Sequence, residues 1–392
     1  YIAPRDAGKR DDYRTFWPGS AWGKYGLSAP FMERFFSLAV HDGYVGQITA
    51  TSFMKRSFGR QLVQETLPNL DLTDVVDCSG ASIPGFGLPT VILFGRNRPP
   101  GPGLVRAVLG KRGESASSSD ASDASDGPVW DAIVSAPSEE CDDNPYVSVA
   151  HVDRSVFSTH PWSLQGGQAP AVLEIIRSAA GFDLASTGAK VGNLTKLIQD
   201  EVYFRAPPAA QRDPSCGSIL LIEGVAVRDY QLVRPQTVLY PYQPGTATPL
   251  ELSGDSAAFR HFWRFRVHLF ERQGVGFKTI RLRGQLFYEY PFYFPNTATG
   301  LGICFPAIAS HGHFVITRGG SLYNRSAPVI KLPKRAKEDD YLDLAGCLNS
   351  STLSFWMKQV FHNFGHGASA DGSRTTAEAW DNFYEHDATK LK

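Results

Sequence analysis

The stretch CSGASIPGFGLPTVILFGRNRPP, residues 78–100, decides how the first part of this chain folds. Its centre, residues 90–94, is apolar and β-branched, and glycine and proline lie on both sides of it. A short apolar run bounded in this way is typical of a fully buried strand. The preceding loop, residues 79–89, is rich in glycine, proline and small residues, so a permissive loop is placed against the end of a buried strand.

The sequence around this strand predicts an open α/β sheet. Ser28 can cap a helix whose first turn contains Pro30, and Gly59 weakens a second, amphipathic helix. The expected elements are a helix over 28–40, a strand over 44–52, a helix over 54–67, and strands over 72–80 and 91–94. This alternation is typical of the second half of an open α/β sheet. Ligands bind such sheets beyond the carboxyl ends of the strands, so the loop either borders a pocket or is a plain β-turn.

The composition indicates a globular protein with an unevenly distributed charge. Of the 392 residues, 42% are hydrophobic, and 39 basic residues balance 39 acidic ones. Residues 114–143 hold nine of the acids and no Lys or Arg, which leaves 39 basic and 30 acidic residues, a charge of about +9, on the rest. A basic body of this kind is compatible with binding a polyanion.

The chain contains no apolar run of membrane-spanning length and no signal-peptide pattern, so a cytoplasmic protein without a membrane partner is expected. Its five cysteines are widely spread and form no C-x-x-C pair. This pattern argues against a disulfide framework and predicts reduced, partly buried thiols.

Two further regions follow the first. Residues 111–150 are rich in Ser and Asp and predict an acidic linker or insert. Residues 151–392 mix helix and strand patterns, with helices expected over 170–181 and 348–360. For the second helix, Asn349 or Ser350 is expected near its start, and Phe355, Trp356 and Val360 on its buried side.

A basic and aromatic stretch, FRHFWRFRVHLFERQGVGFKTIRLRG at residues 259–284, is conspicuous in the third region. Seven cations face a single acid, Glu271, and aromatic residues alternate with them. Such alternation either places a buried face beside a phosphate-facing one or belongs to an ordinary amphipathic element with solvated arginines.

Five collinear segments together resemble the adenine-specific DNA methyltransferases of bacterial BREX phage-resistance systems, in particular their PglX type. That family is related to the methyltransferase halves of type IIG restriction enzymes. The segments are YGLSAPFMERFFSLAVHDGYVGQITATSFMKRSFG (25–59), LTDVVDCSGASIPGFGLPTVILFGRNR (72–98), DRSVFSTHPWSLQGG (153–167), SAPVIKLPK (326–334) and LAGCLNSSTLSFWMKQVFHN (344–363).

The resemblance implies the carboxyl-terminal half of a Rossmann-like S-adenosylmethionine domain over 1–110, followed by a mixed α/β DNA target-recognition domain over 151–392. The implied reaction moves a methyl group to N6 of adenine. In such enzymes an Asn-Pro-Pro-Tyr tetrapeptide grips the adenine, but this chain opens at a residue resembling its tyrosine, and the upstream glycine-rich cofactor loop is absent. The Asn-Pro-Tyr at 144–146 is a poor substitute. We therefore expect a fragment that transfers no methyl group alone, with a non-catalytic DNA-binding module or a degenerate remnant as alternatives.

Individual site residues follow from the resemblance. Tyr1 matches the catalytic aromatic that stacks on the extruded adenine. Phe31 resembles the aromatic lining the cofactor's adenine pocket, with a core position on the helix as the alternative. Either Ile83 or Phe86 takes the other face of the flipped base, and Phe86, between two glycines, is preferred.

The resemblance also implies double-stranded DNA as a partner, and companion proteins such as an ATPase and a phosphatase-like protein. Contacts to phosphates, with one arginine reading a guanine edge, are expected from Arg264, Arg266, Lys278, Arg281 and Arg283.

Two histidine tracts, SHGHF at 310–314 and FHNFGHG at 361–367, resemble metal-binding sequences. His311 and His313 would lie on the same side of a strand, but no acidic residue is near them in sequence. His362 and His366 would be aligned on a helix, but Gly365 and Gly367 break that helix. No metal site is therefore predicted.

Overall fold

The structure is a computed structural model that describes residues 6–81, 88–114, 127–181, 183–192, 195–197, 201–274, 276, 278–295, 300–366, 382–386 and 390–391. The chain divides into two compact units. Unit 1 comprises Tyr1–Ala180 and Phe355–Glu385, and unit 2 comprises Gly181–Ser354 and His386–Lys392. Across the described residues, every helix is too short or too polar to span a bilayer.

The α-helices are, in chain order, α1 Ala7–Phe16, α2 Ser28–Leu38, α3 Ser52–Lys55, α4 Pro128–Val134, α5 Arg154–Phe157, α6 Ala169–Ala179, α7 Glu201–Phe204, α8 Pro208–Gln211, α9 Ala257–Arg264, α10 Arg266–Phe270, α11 Glu338–Leu348 and α12 Ser351–Val360.

The strands are β1 Tyr44–Ala50, β2 Asp71–Asp77, β3 Thr90–Arg96, β4 Val105–Gly110, β5 Val147–Val152, β6 Lys190–Gly192, β7 Thr195–Lys196, β8 Gly217–Ile222, β9 Val227–Arg228, β10 Gln231–Leu232, β11 Gln236–Tyr240, β12 Phe292–Tyr293, β13 Gly302–Cys304, β14 Ile308–Ala309, β15 Val315–Thr317, β16 Ser321–Tyr323, β17 Val329–Lys331, β18 His362–His366 and β19 Asn382–Glu385.

The five-stranded sheet of unit 1 has the order β1-β3-β2-β4-β5. β3 pairs antiparallel with both β1 and β2, β2 pairs parallel with β4, and β4 pairs antiparallel with β5. β1, β2 and β4 therefore run in the same direction, and their carboxyl ends meet at one edge of the sheet. The predicted α/β class is confirmed, whereas the division into a Rossmann-like half and a recognition domain stays a prediction.

The strand expected over 91–94 is confirmed as β3. Val91 and Leu93 are fully buried, as expected, but Phe94 is 41% exposed. Its ring lies over Gly46, the residue opposite it on β1. A Cβ atom added at Gly46 would stand 3.1 Å from that ring. An aromatic side chain covering a cross-strand glycine is a known way to stabilise an edge strand.

Helix α2 confirms the expected helix over 28–40, two residues shorter than predicted. Pro30 lies in its first turn, but Ser28 does not cap it, because Leu27 occupies the N-cap position without a side-chain bond. Met32 and Phe36 are among the buried residues of its inner face, which packs toward the sheet of unit 1.

The single helix predicted over 54–67 is wrong. α3 ends at Lys55, and the chain continues through the 3₁₀ turn Ser57–Gly59, the π-helical turn Leu62–Thr66 and the 3₁₀ turn Leu67–Asn69. The reason lies at Gly59, where a Cβ would stand 1.8 Å from the Phe53 carbonyl oxygen. Backbone approaching backbone this closely interrupts a regular helix and admits only glycine.

Parts of the predicted linker or insert at 111–150 are ordered elements of unit 1. α4 begins after Gly127, and the Glu114 carboxylate accepts a bond of 3.3 Å from the Val129 backbone N–H at its first turn. β5 completes the sheet beside β4.

Helix α12 begins as predicted, since the Ser350 hydroxyl accepts from the Leu353 N–H at 3.2 Å. Its buried side differs from the expectation. Val360 is buried as predicted, together with Met357 and Gln359, whereas Phe355 and Trp356 are only half-buried. β18 and β19 pair antiparallel after it.

Unit 2 mixes small sheets and short helices, as predicted. Its sheets have the orders β11-β8-β16 and β15-β13-β17-β6, with the two-stranded pairs β9-β10 and β7-β12. Its largest core cluster is aromatic: Tyr203, Phe262 and Tyr290 are fully buried, and the ring centroids of Tyr203 and Tyr290 lie 5.1 Å apart.

Candidate binding cleft at the carboxyl ends of the parallel strands

A cleft of about 180 Å³ opens in unit 1 where β1, β2 and β4 end. We call it the carboxyl-edge cleft. Thr51 follows β1, Asp77 and Ser79 lie at the end of β2, and Gly110 ends β4. The topology creates this site, because three strands running in one direction bring three chain turns to the same edge.

Further lining residues come from α12, from the paired strands β18 and β19, and from residues 163–165. The lining residues from these segments are Ser163, Leu164, Gln165, Lys358, Gln359, Phe361, Asn363, Asn382 and Tyr384.

Asp77 is the carboxylate of the cleft. Its Oδ1 accepts from the Ser79 backbone N–H at 2.9 Å. Removal from water raises the pKa of the Asp77 carboxyl, while the hydrogen bonds from Ser79 and the neighbouring charge of Lys55 oppose this rise. Gly110 permits the arrangement, because a Cβ there would stand 2.6 Å from Asp77 Oδ2.

Four cations share the cleft with this carboxylate. Lys55 donates to the Gln359 carbonyl. Lys111 donates to the carbonyls of residues 142 and 144 at 2.8 and 2.9 Å, and Arg112 also lines the cleft. Lys358 lies 5.8 Å from the centre of the Tyr384 ring, and burial lowers the pKa of its ammonium. The excess of positive charge favours an anionic or electron-rich ligand.

Gln359 organises the floor of the cleft although it is only 2% exposed. Its Oε1 accepts from the Ser163 hydroxyl at 2.6 Å, and its Nε2 donates to the Gln165 side-chain oxygen. A buried amide satisfied on both ends fixes the rotamers around it.

The chemistry of the cleft is that of hydrogen bonding and charge. Its described lining contains no cysteine or histidine, so it offers no thiol nucleophile and no imidazole base. Its volume of about 180 Å³ is smaller than the roughly 300–1,000 Å³ of drug-sized ligand sites. It suits a group of the size of one base or one phosphate better than a whole cofactor.

Several predicted site residues cannot be placed in the cleft. Tyr1, Ile83 and Phe86 lie outside the described residues. The two ends of the loop that carries the last two do border it, since Gly80 and Pro89 are lining residues. Whether residues 82–87 themselves border the cleft or form a plain β-turn stays a prediction, because they lie outside the described residues.

Phe31 does not line the cleft. It lies on α2 with 52% of its surface exposed, and its ring centroid is 5.8 Å from that of Phe35, also exposed. The alternative core position is therefore wrong, and Phe31 is accessible to a ligand or another surface.

The predicted DNA contacts all lie in unit 2 and differ in their surroundings. Arg264 and Lys278 are exposed and make no side-chain hydrogen bond or ion pair with any described residue. Arg266 stacks 4.4 Å from the Trp263 ring centre. Arg281 pairs with Glu271 at 3.2 Å, and Arg283 donates to a backbone carbonyl at 3.0 Å.

The Asn-Pro-Tyr at 144–146 serves the backbone. The Asn144 side-chain oxygen accepts from the backbone N–H groups of Tyr146 and Val147 at 2.8 and 3.3 Å. An amide used in a turn in this way is not available to grip a base, which agrees with its dismissal as a substitute.

Comparison with known proteins identifies what the chain resembles. No protein-family model matches it. Over 413 aligned residues it is 35% identical to the adenine-specific methyltransferase PglX of Streptomyces coelicolor, covering 100% of this chain and 33% of that protein. The predicted resemblance to the PglX type is confirmed. The chain spans about a third of the PglX protein that it matches.

Two solved structures are also similar. The type IIL restriction-modification enzyme MmeI, in complex with DNA, gives a TM-score of 0.52 at 10% identity, covering 96% of this chain and 43% of that one. The type IIG restriction endonuclease BpuSI gives a TM-score of 0.35 at 11% identity, with 98% and 46% covered. The likeness to MmeI shows a shared fold.

Four residues of the cleft in this PglX-like chain were not expected from its sequence. They are Asp77, Lys55, Lys358 and Gln359. For Asp77 a signal existed, because it lies near the carboxyl end of the strand predicted over 72–80, where ligands bind. For Lys358 and Gln359 none existed, since they reach the cleft from about 280 residues further along the chain.

Proposed function

We propose that this chain is part of an S-adenosylmethionine-dependent DNA methyltransferase that modifies N6 of adenine at a short asymmetric site. The observation that carries the proposal is the 35% identity along the whole chain to PglX, an adenine-specific methyltransferase. Because the chain spans about a third of that protein, the activity and substrates of the whole protein are part of the proposal.

We assign unit 1 to the carboxyl-terminal half of the Rossmann-like sheet. β1 lies at the edge of the described sheet, and Tyr44 and Ile48 on its outer face are 75% and 53% exposed. Phe31 and Phe35 on α2 are exposed as well. Natural proteins pair or cover the backbone groups of an edge strand, and a further strand pairing onto β1 would do this, whereas its outer face would need an element packed on it.

The carboxyl-edge cleft is the proposed receiving site for the extruded adenine. Phe86 or Ile83 would stack on one face of the base from the loop bordering the cleft, and Tyr1 on the other. The hydrogen-bonding amides and the cations of the cleft would hold the edge of the base or a flanking phosphate. Phe31 is proposed to line the cofactor's adenine pocket.

The chain alone is proposed to be inactive. Methyl transfer needs the adenine nitrogen aligned in line with the sulfonium methyl, and the Asn-Pro-Pro residues and the glycine-rich loop that align them are not in this sequence.

Unit 2 is proposed to read the DNA site, through phosphate contacts from Arg264, Arg266, Lys278, Arg281 and Arg283. The whole protein is proposed to act in a BREX-like phage-defence system, with companion proteins.

The test compares the 392-residue chain with a polypeptide that carries the Asn-Pro-Pro residues and the cofactor loop ahead of Tyr1. Both are incubated with unmethylated double-stranded DNA and S-adenosylmethionine labelled in its methyl group. The proposal expects label on adenine N6 with the extended form only. DNA binding by both forms without label from either would favour a non-catalytic specificity module, and equal labelling by both would refute the inactivity of the chain.

A further inference from the structure

The strongest site outside the cleft lies in unit 2, at the histidine tract of residues 310–314. His311 and His313 lie in the connection between β14 and β15, with ring centroids 4.1 Å apart. Asp229, about 80 residues earlier in the sequence, brings the carboxylate that the local sequence lacks.

The three side chains converge. Asp229 Oδ1 lies 3.2 Å from His313 Nδ1 and 3.8 Å from His311 Nε2. One ligand atom from each residue lies within 4.8 Å of both others. Zinc bonds to nitrogen and carboxylate oxygen measure about 2.0–2.2 Å, which separates ligand atoms by roughly 3.3 Å in a tetrahedral site. The separations of 3.2 and 3.8 Å from the Asp229 oxygen are near that spacing, and the Asp229 and His311 side chains are exposed.

Each residue is presented by a defined backbone. Asp229 and Tyr230 form the two-residue turn between β9 and β10, both with positive φ. Next to His313, the Asn349 side chain accepts from the Phe314 N–H at 2.9 Å and donates to its carbonyl at 2.8 Å. Support of this kind holds ligands in place before the ion arrives.

The imidazoles are oriented as ligands. The Ser310 hydroxyl lies 3.0 Å from His311 Nδ1, which leaves Nε2 facing Asp229. A ligating histidine typically bonds a second group through its other nitrogen.

The charges around the site are mixed. Arg228 adjoins Asp229, but its guanidinium donates to the carbonyls of Gly224 and Val227 at 2.9 and 2.6 Å. His386, the third imidazole nearby, is buried.

We propose that Asp229, His311 and His313 bind a late first-row divalent metal ion such as Zn²⁺, which ties the β9–β10 turn to the 310–314 segment. Two imidazoles and one carboxylate suit zinc, cobalt or nickel, whereas calcium and magnesium prefer oxygen ligands. Three protein ligands leave a coordination position for water. The proposal is independent of methyl transfer.

The test uses the 392-residue chain, freed of metal by chelator and dialysis. Zn²⁺ binding is measured by calorimetry, Co²⁺ by its visible absorption, and the change in Tm on adding Zn²⁺ by thermal unfolding. One ion per chain and a rise in Tm are expected.

The variants are His311→Ala and Asp229→Asn, with His268→Ala, another exposed histidine of unit 2, as the matched control. The His311→Ala and Asp229→Asn changes each remove an exposed ligand, so the fold is retained. Each should weaken Zn²⁺ binding at least tenfold and abolish the rise in Tm, whereas the control should behave as the unchanged chain. Absence of Zn²⁺ binding, or equal affinity in all four proteins, would show that the three residues form only a histidine–aspartate contact.

Discussion

Arg272 should be essential for the fold of unit 2 although it lies within the basic stretch predicted to contact DNA. Its side chain is 3% exposed. It donates hydrogen bonds of 2.8–3.0 Å to four backbone carbonyls and one phenol, those of Leu197, Leu269, Phe287, Glu289 and Tyr203. Replacement by methionine keeps much of the length of the side chain and removes every donor.

The loss in the free energy of unfolding follows from the carbonyl oxygens that Arg272→Met leaves without a donor. A buried acceptor that loses its partner costs about 1–3 kcal/mol. Four carbonyls at the lower limit give about 4 kcal/mol, a large part of the roughly 5–15 kcal/mol by which a domain is stable. The phenol of Tyr203 and the loss of packing add to this value, so Arg272→Met should weaken unit 2 by at least about 4 kcal/mol.

Urea unfolding monitored by hydrogen exchange of peptides from β8 and β11 reports on unit 2 separately from unit 1. Arg264→Met is the matched control, because this exposed arginine makes no side-chain bond with the described residues, and its stability should stay within about 0.5 kcal/mol. If Arg272→Met lost less than about 1 kcal/mol, the guanidinium would not be holding these carbonyls, and the structural role of Arg272 would be refuted.

Three further outcomes are expected. The double change Arg264→Ala with Lys278→Ala should weaken binding of the chain to double-stranded DNA and reduce the salt slope by roughly two units, one for each lost phosphate contact; an unchanged slope in a titration from low to high salt would make these cations merely solvated. Gly110→Ala should lower Tm in thermal unfolding, because the new Cβ would stand 2.6 Å from a carboxylate oxygen, whereas Gly103→Ala, with nothing within 4 Å, should not; equal Tm values would contradict the close approach. Alkylation of the native chain, mapped by mass spectrometry, should label Cys347 first, because this thiol is exposed. Burial raises the pKa of the Cys78, Cys216 and Cys304 thiols to about 12. Early labelling of any of these three would contradict their burial.

The sequence was sufficient for elements fixed by local pattern. The apolar run at Thr90–Arg96 and the helix at Ser28–Leu38 depend on neighbouring residues, so their existence could be predicted. The helix expected over 54–67 failed because Gly59 contacts the Phe53 carbonyl through a fold-back of the chain. A helical pattern carries no information about such a backbone approach.

The candidate sites show the same limit. The edge of the sheet that holds the cleft was predictable. Alternating helices and strands indicate an open α/β sheet, and ligands bind such sheets beyond the carboxyl ends of the strands. The amide of Gln359 was not, because it lies far along the chain from β2. For His311 and His313, the absence of a nearby acid in the sequence argued against a metal, and the turn that presents Asp229 supplies one through space.

Two carboxylates on strand β2 separate its structural end from its candidate functional end. Asp71, at the start of the strand, is 2% exposed and pairs with Arg98 and Arg154, each at 2.7 Å. A buried carboxylate held by two guanidinium groups is satisfied, and removal of either partner would leave a buried charge uncompensated, so its role is structural.

Asp77, at the other end, faces a cleft instead of a matched pair of arginines. Removal from water raises the pKa of its carboxyl, and the cations around it also bond backbone carbonyls. The Asp77 carboxylate accepts hydrogen bonds from Ser79 and Gly110 and lies near the charge of Lys55, and a carboxylate with a perturbed pKa in a cleft is a candidate ligand-binding group. The difference between these two residues of one strand is the physical reason for proposing the base-binding site at the carboxyl edge and not at the opposite one.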